Sequence, residues 1–172
     1  MNTFTKSIVI ASTFATIAAT AFTSVSASAA IKVSDNNTAV FNIGGTIDPM
    51  CKINSQGHAN AASLILDETN TTQEVGTLSV WCNTGSNATT KYSSANNGYL
   101  VSGEHKIAYK LDVGNFVSNV ALTSEYTASS TQAGFDRNGA SEAHALKVTP
   151  LSTGLDAAGD YSDTITVTVS YN

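Results

Sequence analysis

The sequence predicts an all-β protein, a sandwich of short strands. Two observations carry that expectation. Apolar and polar side chains alternate with a period of two in its clearest segments, and the stretches between them are rich in Asn, Gly, Ser and Thr. Charged residues make up only 12 % of the 172 residues, and the abundant Thr, Ser, Asn, Ala and Gly favour turns and strands over helices.

The elements follow in chain order. Lys6 precedes an apolar and small-residue stretch from Ile8 to Ala19, and Ser26-Ala27-Ser28-Ala29-Ala30 closes it. A charged start, an apolar middle and a small-residue end predict a secretory signal peptide over residues 1–30, cleaved after Ala29 or Ala30. Thr13, Thr16, Thr20, Thr23 and Ser24 interrupt the apolar run, so the alternative of a membrane anchor is disfavoured. The remainder, about 142 residues, suits one domain.

After residue 30 the alternation begins. Ile31, Val33, Ala39, Phe41, Ile43 and Ile47 share one parity, which Asp35 and Asn37 break. Gly44-Gly45 predicts a bend and Asp48-Pro49 a turn just before Cys51. Strands are predicted at residues 63–66, 76–82, 107–111, 117–122 and 143–149. Residues 83–87, 94–98 and 124–139 are read as loops. The last segment is the clearest. Tyr161, Asp163, Ile165, Val167, Val169 and Tyr171 lie on one face, and Ser162, Thr164, Thr166, Thr168 and Ser170 on the other. That is a half-buried strand with Ile165, Val167 and Val169 facing a core, and Tyr161 is expected to face inward with them. No repeat, heptad or amphipathic helix is evident.

The chemistry-bearing residues are few. A net charge of −5 argues against nucleic acid and against anionic membrane surfaces as partners. Cys51 and Cys82, an even pair in a chain expected to be exported, predict a disulfide worth roughly 3–4 kcal/mol. Two distant cysteines and the scattered His58, His105 and His144 make a poor metal set. Each histidine has small or polar neighbours and is read as a surface residue. No Gly-x-Ser-x-Gly elbow, His-Glu-x-x-His pair or EF-hand loop occurs, and Asp67-Glu68 reads as a solvated turn. The expectation is a protein that is not an enzyme and takes no cofactor or metal. Asn-x-Thr sites at Asn36, Asn70 and Asn87 are chance matches in so Asn- and Thr-rich a chain.

Three stretches carry a resemblance. Residues 39–53, AVFNIGGTIDPMCKI, resemble the start of chaperone–usher pilins, where an alternating segment leads through a glycine to a cysteine near the end of the first core strand. Residues 78–85, LSVWCNTG, look like the second-cysteine strand of the spore-coat-protein-U-like and archaic pilin group. Residues 158–169, AGDYSDTITVTV, are similar to that group's closing strand, and the penultimate Tyr171 is common in pilins. Residues 85–140 match only in rhythm, and Trp81 stands where a small residue is expected.

The resemblance implies an immunoglobulin-like β-sandwich over residues 44–172 that lacks its last strand, and a donor strand at residues 31–43 that completes a neighbour. Ile31, Val33, Ala39, Phe41 and Ile43 would fill the neighbour's groove. Tyr161, Ile165, Val167, Val169 and Tyr171 would be the closing-strand residues facing groove or chaperone, with Tyr171 the part a chaperone reads. The implied partners are other copies of the chain or related pilus subunits, a periplasmic chaperone and an outer-membrane usher. The implied route runs through the periplasm to a fimbria at the cell surface, with a role in adhesion. The alternative is a secreted coat-type or binding module of the same fold that does not polymerise.

Overall fold

The structure, a computed structural model, describes residues 30, 32–34 and 37–172. The signal-peptide assignment therefore falls, but for Ala30, outside the described residues, as do Ile31, Asp35 and Asn36. The chain divides into two units, Met1–Gly44 and Gly45–Asn172. The described residues of the first form no helix or strand.

The second unit holds nine strands: β1 (Cys51–Gly57), β2 (Gln73–Cys82), β3 (Asn87–Ser94), β4 (Tyr99–Ser102), β5 (His105–Val113), β6 (Val117–Val120), β7 (Tyr126–Gln132), β8 (Ala143–Pro150) and β9 (Ile165–Tyr171). They form two sheets of antiparallel pairs. One runs β1-β2-β8-β5-β4 with β6 also paired to β5, and the other runs β7-β3-β9. A single 3-10 turn, Ala59–Ala62, follows β1.

Period-two patterning explains the layers. In β5, Ile107, Tyr109, Leu111 and Val113 are buried, while Lys106, Lys110 and Asp112 take the opposite face. In β2, Leu78, Val80 and Cys82 are buried on alternate positions. These meet Ala88, Thr90, Tyr92 and Ala128 of the second sheet in one core. The result is a two-sheet sandwich. Between β3 and β4 the chain changes sheet through Asn97 and Gly98, with φ of 54° and 80°. A Cβ on Gly98 would also lie 3.1 Å from the Leu122 backbone, so glycine is required there twice over.

The structure corrects the sequence reading in several places. Residues 63–66 are not a strand. The side-chain amide of Gln73 donates from Nε2 to the Ile65 carbonyl at 2.8 Å and accepts from the Ile65 N–H at 2.7 Å, replacing a strand partner. The loop expected over 124–139 contains β7, whose inward residues Ala128 and Thr131 carry no apolar signal. β6 ends at Val120 rather than residue 122. The bend at Gly44-Gly45 and the turn at Asp48-Pro49 are absent, and Cys51 opens the first strand instead of lying near its end. His144 is not a surface residue. It is 8 % exposed, packs edge-on against Phe116 at 5.0 Å, and its Nε2 is buried without a hydrogen-bond partner.

Candidate subunit-interaction site

Two strands have an unpaired edge on the same side of the sandwich. Among the described residues β1 pairs only with β2, and β9 only with β3. Between them runs a groove of about 850 Å³, lined by Ile53 of β1, Leu64 and Leu66 of the following segment, Tyr161 ahead of β9, and Ile165 and Val167 at the start of β9.

The side chains on β9 keep the expected alternation. Ile165, Val167 and Val169 are half-buried against the core, while Thr164, Thr166 and Thr168 are exposed. Ile165 and Val167 also line the groove. β1 forms the other wall: after Cys51 all its side chains are exposed, Ile53 among them at 37 %. Tyr161 is half-buried and donates its hydroxyl to the Ala157 carbonyl at 2.8 Å. Tyr171, in contrast, is 52 % exposed at the far end of β9.

Asp163 holds the start of this strand, and sequence reasoning did not single it out. One of its carboxylate oxygens accepts from Ser94 Oγ at 2.6 Å and from the Tyr109 hydroxyl at 2.6 Å. The other accepts from the N–H of Asn96 at 3.0 Å and of Thr164 at 2.7 Å. Ser94 belongs to one sheet and Tyr109 to the other, so a single carboxylate pins β9 to both. Burial pushes the Tyr109 hydroxyl well above its ordinary value, and the bond to Asp163 acts in the same direction. The only signal available in the sequence was the parity of Asp163, an acid on the inward face.

At one end of the β1–β2 ladder, Cys51 and Cys82 form a disulfide with a Cα–Cα distance of 4.1 Å. Beside it, Trp81 donates its indole N–H to the Asp136 carbonyl at 2.8 Å, which ties the segment after β7 to β2. Asn83 clamps the chain that enters β1. Its side chain donates to the Asp48 carbonyl at 2.8 Å and accepts from the Met50 N–H at 2.7 Å, and its own N–H donates to the Met50 carbonyl at 3.1 Å. This residue also went unnoticed in the sequence, where it reads as an ordinary turn asparagine.

The candidate donor residues that the structure describes are exposed. Val33, Phe41 and Ile43 are 108 %, 84 % and 96 % exposed, Ala39 is exposed, and Ile31 lies outside the described residues. Ile47, of the same parity, is 83 % exposed. Residues 38–50 form no helix, strand or turn.

The three histidines are not brought together. His58 faces Glu74 at 3.7 Å, His105 is exposed and His144 is in the core. Among the described residues no group of three or more His, Cys, Asp or Glu is placed to hold a metal ion.

Residues 37–168 match the family described as the Spore Coat Protein U domain. No curated protein matches the chain.

Proposed function

Since the chain belongs to the Spore Coat Protein U domain family, a family of chaperone–usher fimbrial subunits, we propose that it is a structural subunit of a bacterial surface fimbria, polymerising by donor-strand exchange and supporting adhesion. The observation that carries this reading is the groove between two unpaired strand edges, together with an apolar alternating segment that stays exposed.

The physics is that of strand addition. An unpaired edge leaves backbone N–H and C=O groups to water, and an added strand pairs them while its alternate side chains fill the apolar groove. Pilin donor-strand complementation is an established instance of this mode. In this chain Ile31, Val33, Ala39, Phe41 and Ile43 share the parity that such a strand needs. Burying a large apolar side chain is worth about 1.5–3 kcal/mol, so Phe41 and Ile43 together supply roughly 3–6 kcal/mol before ordering costs. Until a neighbour arrives, a periplasmic chaperone occupies the groove and reads Tyr171, and an outer-membrane usher receives the complex. Residues 1–30 act as the export signal, residues 31–43 belong to the donor extension, and residues 44–172 form an immunoglobulin-like domain lacking its last strand.

A strand paired along its length dissociates slowly, so fibres should survive cold detergent and come apart into subunits on boiling. Gel electrophoresis of cell-surface extracts with and without boiling should show a ladder collapsing to one band. Deleting residues 31–43 should abolish the ladder while leaving a chaperone-bound subunit. A full-length mature protein that is a stable monomer without a chaperone would instead favour the coat-type module.

A further inference from the structure

We propose that consecutive copies of this chain touch body to body as well as through the donor strand, the end of one subunit carrying Met50 and Phe135 seating on the end of the next that carries Ile65, Leu151 and Leu155. The inference rests on the donor-strand reading and names the second half of the same interface.

The argument begins with the two ends of β2, Gln73 and Cys82, about 30 Å apart at 3.3 Å per residue. The Cys82 end gathers Cys51 through the disulfide, Met50 through Asn83, and Gly134 through the Cys82 N–H at 2.8 Å. Phe135 follows Gly134 and is 63 % exposed, and Met50 is 42 % exposed. The Gln73 end gathers Ile65, held by the Gln73 amide, and Val148 of β8, the register partner of Gln73. Beyond β8 come Leu151 and Leu155, 41 % and 93 % exposed, and Ile65 is 59 % exposed. Gly154 abuts the Glu68 side chain, which brings this loop to the same end. Leu155 sits on an ordered turn, because Asp156 accepts from Ser152 Oγ at 2.7 Å and from the Thr153 N–H at 2.9 Å. Each end therefore presents large apolar side chains to water, at a cost in hydration that a partner would remove.

The donor segment dictates which ends meet. β9 runs from Ile165, paired with Ser94, to Tyr171, paired with Ala88, and so from the Gln73 end toward the Cys82 end. A donor strand antiparallel to β9, the more stable pairing, runs the opposite way and leaves the groove at the Gln73 end. Residues 44–50 separate Ile43 from its own β1, a reach of about 26–29 Å for eight fully extended steps. Asn83 bonds Asp48 and Met50 to the donor's own body, which leaves five steps from Ile43 to Asp48, about 17–18 Å at full extension. A tether of that length, held at its far end, keeps the Cys82 end of the donor subunit within reach of the Gln73 end of the receiver.

Cross-linking in assembled fibres tests the contact. Both Phe135 and Leu155 are exposed, so Phe135→Cys and Leu155→Cys leave the core intact. Fibres of the double variant, treated with a short bis-maleimide, should give a ladder that resists boiling, and neither single variant should. Wild-type fibres that form normally while the double variant yields no covalent ladder would overturn the contact but leave the donor-strand reading standing. Cross-linking by Phe135→Cys alone would overturn it too, because it would place like ends together. Failure of wild-type chains to assemble at all would sink the donor-strand reading and this contact with it.

Discussion

At the scale of single residues, Asp163 is the position on which β9 depends. Its four hydrogen bonds reach both sheets, and its loss would remove the carboxylate that accepts from the buried Tyr109 hydroxyl. Asp163→Ala should lower stability by about 2–4 kcal/mol, read as a shift in the urea midpoint, and Asp163→Asn, which keeps the shape, by less. Tyr109 and Tyr92 add a pH signature, since burial raises both hydroxyls above their ordinary value. The folded chain holds these protons where the unfolded chain releases them, near pH 10. Their stabilising contribution is therefore complete below about pH 10 and is lost as the pH rises beyond it. The urea midpoint should fall between pH 9.5 and 11, and Tyr109→Phe should fall less over that interval; equal slopes would contradict the assignment. Asn83 and His144 show how residue-level roles escape a sequence reading. A turn asparagine and a histidine among small neighbours look alike whether they clamp a chain, pack in a core or face solvent.

At the scale of elements, legibility followed the chemistry of the inward face. β2, β5 and β9 place apolar residues on alternate positions and were readable as strands. β3 and β7 were hidden because Thr90 and Thr131 occupy core positions, where their hydroxyls hydrogen-bond to each other. A satisfied polar pair can be buried at little cost, and it erases the period-two signal. The bulge between Ala88 and Thr90 shifts the register further. The segment 63–66 was misread for the opposite reason: Leu64 and Leu66 do face the groove, but an amide side chain and not a strand pairs the backbone of Ile65 between them. The parity of β9 gives a direct test. Val167→Asp would bury an unpaired charge and should cost about 3 kcal/mol or more, while Thr166→Asp on the exposed face should stay within about 1 kcal/mol. Thermal midpoints of the two variants that shift equally would refute the assignment.

At the scale of the whole molecule, stability and assembly should separate cleanly. Phe41 and Ile43 are 84 % and 96 % exposed, so Phe41→Asp and Ile43→Asp should change the unfolding midpoint of one subunit by no more than about 0.5 kcal/mol. In a neighbour's groove the same charges would be desolvated, and fibre yield should fall at least tenfold, counted by electron microscopy of surface extracts. Matched losses in both measurements would mean that the segment packs within its own chain. By itself the amino-acid sequence determined the fold class, the inward face of β9 and the pairing of Cys51 with Cys82, because period-two patterning and an even cysteine count are local properties of the chain. Only the tertiary structure decided that β1 and β9 end as unpaired neighbours across a groove, that Asp163 joins the two sheets, and that Asn83 holds residues 48–50 to their own body. Those features depend on residues far apart in sequence being brought within hydrogen-bonding distance, and no local pattern records which distant backbone edge is left without a partner.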